Sequence, residues 1–227
     1  MLTEAQRKKL INDAKIRKDK NLRVFIVGGG FQYIKMFEDA GFKGARCTED
    51  ADLICFTGGS DVSPNLYGEA PIAGTYFDPE RDDIEGYIYG EATALSKPMV
   101  GICRGGQFLN VMEGGSLWQD VNNHAIRGRH GVLDSASGEV VYNMTSTHHQ
   151  MMIPSDKALV LATAKLSTVR RGDKAVLERD EPEQDDIEVV WYEDNKVLCF
   201  QPHPEFEHGD CRNYFLKLLD EYIVSKL

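Results

Sequence analysis

The strongest constraint on this chain is a cysteine set between glycines where an apolar run ends. Pro98-Met99-Val100 leads into Gly101-Ile102-Cys103-Arg104-Gly105, and a helix-like segment follows, from Arg104 to Glu113. A strand that turns sharply into a helix needs small neighbours, because the apex residue is strained and the helix passes close to the strand. The same junction aims unpaired helix amides at the apex, which favours a thiolate over a thiol. Taken alone, Cys103 fits a buried structural cysteine as well as a reactive one.

Far downstream, Val197-Leu198-Cys199-Phe200-Gln201 reads as a buried strand that runs straight into Pro202-His203-Pro204-Glu205. Prolines on both sides of His203 keep it out of a helix and restrict the local backbone. A nucleophilic thiol needs a base, and the base needs a third group to orient it, all brought together in space rather than in sequence. Cys103, His203 and Glu205 have the chemistry for those three roles.

Three of the motifs, Gly-Ile-Cys-Arg-Gly-Gly-Gln at 101–107, Gly-Gly-Ser-Leu-Trp-Gln-Asp at 114–120 and Gln-Pro-His-Pro-Glu at 201–205, resemble those of the class I glutamine amidotransferase-like superfamily. Thr-Gly-Gly-Ser-Asp-Val-Ser-Pro-Asn-Leu-Tyr-Gly-Glu at 57–69 is similar to its gamma-glutamyl hydrolase branch, peptidase family C26. The resemblance implies a flavodoxin-like α/β fold, a three-layer sandwich with a largely parallel central sheet. It also implies an oxyanion hole formed by Gly58, Gly59 and the amide of Arg104, with Gln107, His148 and His149 beside the substrate. The activity implied is hydrolysis of a gamma-glutamyl amide, in glutamine or a gamma-glutamyl amine or peptide, through a glutamyl thioester. The alternative is a glutaminase subunit that delivers ammonia to a separate synthetase. No cofactor is implied.

The remaining sequence narrows the partners. A formal charge of −10 argues against a nucleic-acid surface, though not against a small anionic substrate. Five cysteines without a Cys-x-x-Cys spacing read as reduced thiols, and Met1 to Lys20 lacks the apolar core of a signal peptide. With no run long enough to span a bilayer, a cytoplasmic protein without a membrane partner is expected. A metal site is not expected: His148 and His149 point apart in an extended segment, and no further ligands stand at a recognisable spacing. The stretch from His203 to His208 also fails as a metalloprotease helix, because of Pro204 and its spacing.

Strands and helices alternate along the chain. Residues 1–20 read as a solvated or frayed helical extension, and 21–227 as one catalytic domain. Leu22 to Val27 is a strand ending at Gly28-Gly29-Gly30, where Tyr33 breaks the dinucleotide fingerprint. Asp52 to Phe56 is a second strand, followed by a long irregular stretch suited to a wall of a cleft. Arg81-Asp82-Asp83 opens a helix whose apolar residues Ile84, Tyr87, Ile88 and Leu95 recur at helical spacing. Residues 172–188 read as a solvated acidic hairpin tip, and Ile187–Tyr192 and Lys196–Gln201 as paired strands. Cys211 to Leu227 is an amphipathic helix.

Overall fold

The computed structural model describes residues 4–138, 140–183, 185–206 and 209–227, so His208 lies outside the described residues. A nine-stranded sheet forms the middle layer. Numbering only its strands, these are β1 (Arg23–Val27), β2 (Lys43–Gly44), β3 (Leu53–Phe56), β4 (Met99–Ile102), β5 (Ala125–Asp134), β6 (Val140–Thr147), β7 (Leu159–Ala164), β8 (Asp186–Tyr192) and β9 (Val197–Phe200). Their spatial order is β2-β1-β3-β4-β9-β8-β7-β5-β6. The half from β2 to β9 is parallel, and every pairing from β9 outward to β6 is antiparallel. The α/β class is as expected. The sheet is mixed: the paired strands expected at 187–192 and 196–201 are β8 and β9, and they begin its antiparallel half.

Alternation along the parallel strands explains the three layers. Successive strand residues face opposite ways, so Leu53 and Cys55 of β3 enter one core while Ile54 and Phe56 enter the other. The first core is closed by α2 (Phe31–Asp39) and α5 (Asp210–Tyr222), the second by α3 (Pro79–Ala94) and α4 (Arg104–Met112). The stripe foreseen on α5 is buried: Phe215 packs edge-on against Phe37 and Phe200.

Three expectations change. Helix α1 (Glu4–Asp19) is solvated along most of its described side chains, as expected, but it is anchored near its end, because Arg17 is buried, donates to the Ala40 carbonyl, pairs with Asp220 and lies over the Phe42 ring. Helix α3 forms as predicted, with Asp78 capping it through Arg81 N–H. Its buried face is charged, however: Asp82, Glu85 and Ala92 are buried while Ile84 is 54% and Tyr87 73% exposed. The acidic 172–188 segment is exposed or half-buried through Asp185 among the described residues, but Asp186 and Glu188 are fully buried.

Candidate active site

Cys103 sits where β4 ends and α4 begins, with φ 51° and ψ −115°. That positive φ is uncommon for a residue with a side chain, and the surroundings impose it. A Cβ on Gly101 would come within 2.3 Å of the Gly105 carbonyl, and one on Gly105 within 2.2 Å of the Phe56 oxygen. The glycines flanking the cysteine therefore let α4 lie directly on β3 and β4. Contrary to an openly exposed thiol, Cys103 is only 8% accessible. The Cys103 amide donates to the Phe200 carbonyl at 2.8 Å, which fastens the apex to β9.

Strand β9 carries the second half of the site. Gln201 donates to the Cys103 sulfur at 3.6 Å, and the His203 ring stands beside the same cysteine. On the far side of the ring, His203 Nδ1 lies 2.6 Å from Glu205 Oε1, and Phe206 stacks on the imidazole at 4.5 Å. Burial would lower the His203 pKa, but the Cys103 thiolate and the Glu205 carboxylate outweigh it and push His203 up to about 10. The charged imidazolium is the state this environment favours for His203. The structure thus brings Cys103, His203 and Glu205 together.

The other expected positions divide. The Gly58 amide does not stand free for an oxyanion but donates to the Tyr33 hydroxyl at 3.0 Å. Gly59 is in the positive-φ region, and Arg81 covers the space beside its Cα. The Arg104 amide opens α4, where a helix has no internal acceptor for it. The Arg104 side chain is buried and bound to Asp82 and Glu85, which explains the charged inner face of α3. Burial and the neighbouring Arg81 charge lower its pKa to about 10 despite those carboxylates.

Gln107 is buried, with its amide nitrogen committed to the Gln150 carbonyl at 3.3 Å and Gln201 Oε1 at 3.1 Å. It supports the residue that contacts the thiol. His148 is a clear correction: both ring nitrogens are engaged inside the protein, Nδ1 with the Gln150 carbonyl at 2.8 Å and Nε2 with His124 at 3.1 Å. His149 points the other way and pairs with Asp61 at 3.0 Å, on the segment that follows Gly59. That hydrogen bond raises the His149 pKa in spite of partial burial.

Tyr33, Thr145, Gln201 and Arg212 were not singled out as site residues. Thr145 accepts the His203 amide hydrogen at 2.6 Å, and Arg212 binds the carbonyls of Pro204 and Glu205. The Tyr33 signal lay in the glycine-rich turn at the end of β1, whose positive φ angles deliver α2 to the sheet's carboxyl edge. Burial, then the Glu205 charge, push the Tyr33 hydroxyl well above the usual phenol range.

Comparison with known proteins follows the same geometry. A family model described as Peptidase C26 matches residues 38–205. The glutamine amidotransferase-like protein YvdE of Lactococcus lactis subsp. lactis is 31% identical over 175 residues, 68% of this chain and 66% of the relative. A YvdE homolog from Lactococcus lactis subsp. cremoris is 45% identical over 100 residues, 43% of this chain and 50% of the relative. The matches thus span less than two thirds of these relatives' own length. A glutamine amidotransferase of Thermotoga maritima superposes with a TM-score of 0.59 at 15% identity, covering 91% of this chain and 86% of the other, a likeness of fold. Among the described residues no helix is long and apolar enough to cross a membrane.

Proposed function

Since the chain belongs to the peptidase C26 family, we propose that it is a cysteine-dependent amidohydrolase that cleaves the gamma-glutamyl amide bond of a small substrate. The observation that carries this is the arrangement of Cys103 at a strained helix start, His203 beside it, and Glu205 hydrogen-bonded to the imidazole. In this reading the Cys103 thiolate attacks the side-chain carbonyl carbon, and the carbonyl electrons move onto oxygen. The Gly59 and Arg104 amides receive that oxyanion, each worth roughly 10²–10³ in rate at comparable sites. The Gly58 amide joins them only if substrate displaces Tyr33.

Collapse of the tetrahedral adduct breaks the C–N bond, and the His203 proton goes to the departing amine. Water then attacks the thioester, giving one proton to His203 and releasing glutamate and the thiolate. Gln201 holds the sulfur between steps, and Gln107 holds Gln201.

The segment from Gly59 to Pro64 favours a freestanding gamma-glutamyl hydrolase over a subunit that passes ammonia to a separate synthetase. Glutamate release from glutamine, gamma-glutamyl amines and gamma-glutamyl peptides tests this directly. Turnover of the amines or peptides by the chain alone supports the hydrolase. Activity confined to glutamine supports the glutaminase subunit, and no glutamate from any of them overturns both.

A further inference from the structure

Away from the thiol, three histidines and a glutamate converge in the antiparallel half of the sheet. His124 precedes β5, His130 lies within it, His148 follows β6, and Glu188 lies on β8; all four are buried. Ligand atoms of His124, His130 and Glu188 lie within 4.8 Å of one another. Glu188 Oε1 is 2.9 Å from His130 Nε2, 3.4 Å from His124 Nδ1 and 3.7 Å from His148 Nε2, and His124 Nδ1 is 3.1 Å from His148 Nε2. Ligands placed tetrahedrally about zinc at 2.0–2.1 Å stand about 3.3 Å apart, which the His130–Glu188 and His124–Glu188 spacings bracket.

His148 Nδ1 lies 2.8 Å from the Gln150 carbonyl, an acceptor only, so the proton of a neutral ring sits there and Nε2 offers a lone pair. His124 Nδ1 faces that Nε2 at 3.1 Å beside a carboxylate, an arrangement that favours positive charge, as a shared proton or a bound ion. His124 Nε2, His130 Nδ1 and Glu188 Oε2 are buried and find no hydrogen-bond partner among the described residues. A carboxylate close behind a ring, as Asp186 Oδ2 lies 3.1 Å from His124 Nε2, is the outer-shell arrangement that orients metal-bound histidine. Asp186 is itself held by the Leu166 and Ser167 amides at 2.7 and 2.8 Å and by Arg170 at 2.8 Å.

We propose that His124, His130 and Glu188 bind one zinc-class divalent ion, with His148 packed against His124 at its edge. All three ligands are buried, so the remaining position is closed to substrate and the ion is structural. It ties β5 to β8. His148, 3.1 Å from His124, connects the cluster through the Gln150 carbonyl, which also receives Gln107, to the wall behind Cys103. Separate strands supply the ligands, which is why no local spacing announced them. The proposal is independent of the hydrolase reading.

Metal analysis of the whole chain tests it, in a Cys103→Ser background that removes thiolate binding at the active site. Reconstitution with Zn²⁺ followed by dialysis should leave about one ion per chain, and Co²⁺ should give the intense visible bands of a tetrahedral N/O site. Asp186→Asn, which keeps every direct ligand, should weaken Zn²⁺ binding roughly 10- to 100-fold. Glu188→Gln should weaken it more. If Glu188→Gln does not fold, Asp186→Asn and the Co²⁺ spectrum still decide. A Cys103→Ser chain that retains no Zn²⁺ overturns the site, as does an octahedral Co²⁺ spectrum or undiminished affinity in Asp186→Asn.

Discussion

Glu205 holds His203 from the side opposite Cys103, with 2.6 Å between Oε1 and Nδ1. The backbone between them is fixed as well, by Thr145 on the His203 amide and by Arg212 on the carbonyls of Pro204 and Glu205. The imidazole is thus oriented by three elements, β6, β9 and α5, rather than by the local Pro-His-Pro sequence alone. Movement of any of these would show first in proton transfer.

Cys103→Ala should abolish glutamate release while leaving the fold intact, because alanine keeps the backbone position and loses only the sulfur. A loss of at least about 10³-fold is expected for a covalent nucleophile. Glutamate release and a thermal melt of the same sample check it; retained turnover would remove Cys103 from the mechanism.

The pH dependence follows from His203. Its pKa is raised above the ordinary 6.5 to about 10, so the stabilisation from the charged ring is complete below pH 6.5 and is lost as pH rises through about 10. The alkaline limb of kcat/KM should therefore fall near pH 10. Glu205→Gln removes one of the charges that raise the pKa, and the limb should move to lower pH with some activity remaining. His203→Ala should lose nearly all turnover. With a gamma-glutamyl anilide in single-turnover mode, acylation of His203→Ala at the wild-type rate would exclude His203 as the base.

Much of this site was legible because its signals are local. Gly101 and Gly105 stand beside the cysteine they serve, and His203 and Glu205 lie within one proline-fixed run. The parallel strands were legible because burial on both faces leaves continuous apolar runs such as Leu53 to Phe56. What escaped depends on partners distant in sequence. Asp82 and Glu85 look solvated until Arg104 is placed against them, and Glu188 looks like part of an acidic tip until His130 of β5, His124 just before it and His148 just after β6 stand beside it. Tyr33 reads as a failed nucleotide motif until Gly58 donates to it.

Alkylation should single out Cys103. Burial raises the pKa of Cys55 and Cys199, and takes Cys211 to about 12. Cys47 is more accessible, and an amide hydrogen bond at Asp50 favours its thiolate, yet its hydrogen bond to Glu49 and the neighbouring carboxylates leave it raised. Limiting iodoacetamide followed by peptide mapping should find Cys103 modified first. Faster labelling of Cys47 would show that accessibility, not thiolate character, governs reactivity here.

The last prediction separates the observed face of α3 from the one its apolar spacing suggests. Ile84 is mostly exposed, and Ile84→Ser should change stability by no more than about 0.5 kcal/mol. Arg104 is bound by Asp82 and Glu85, with Arg81 also 2.8 Å from Glu85. Arg104→Leu would leave buried carboxylates without their main counter-charge, a loss of about 3–5 kcal/mol for such pairs, and Arg81 should keep the cost near the lower end. Because Arg104 also opens the helix behind Cys103, this variant should lose activity, whereas Ile84→Ser should keep it. Urea midpoints for the two variants provide the test. A larger loss for Ile84→Ser than for Arg104→Leu would mean that α3 packs by its apolar residues after all.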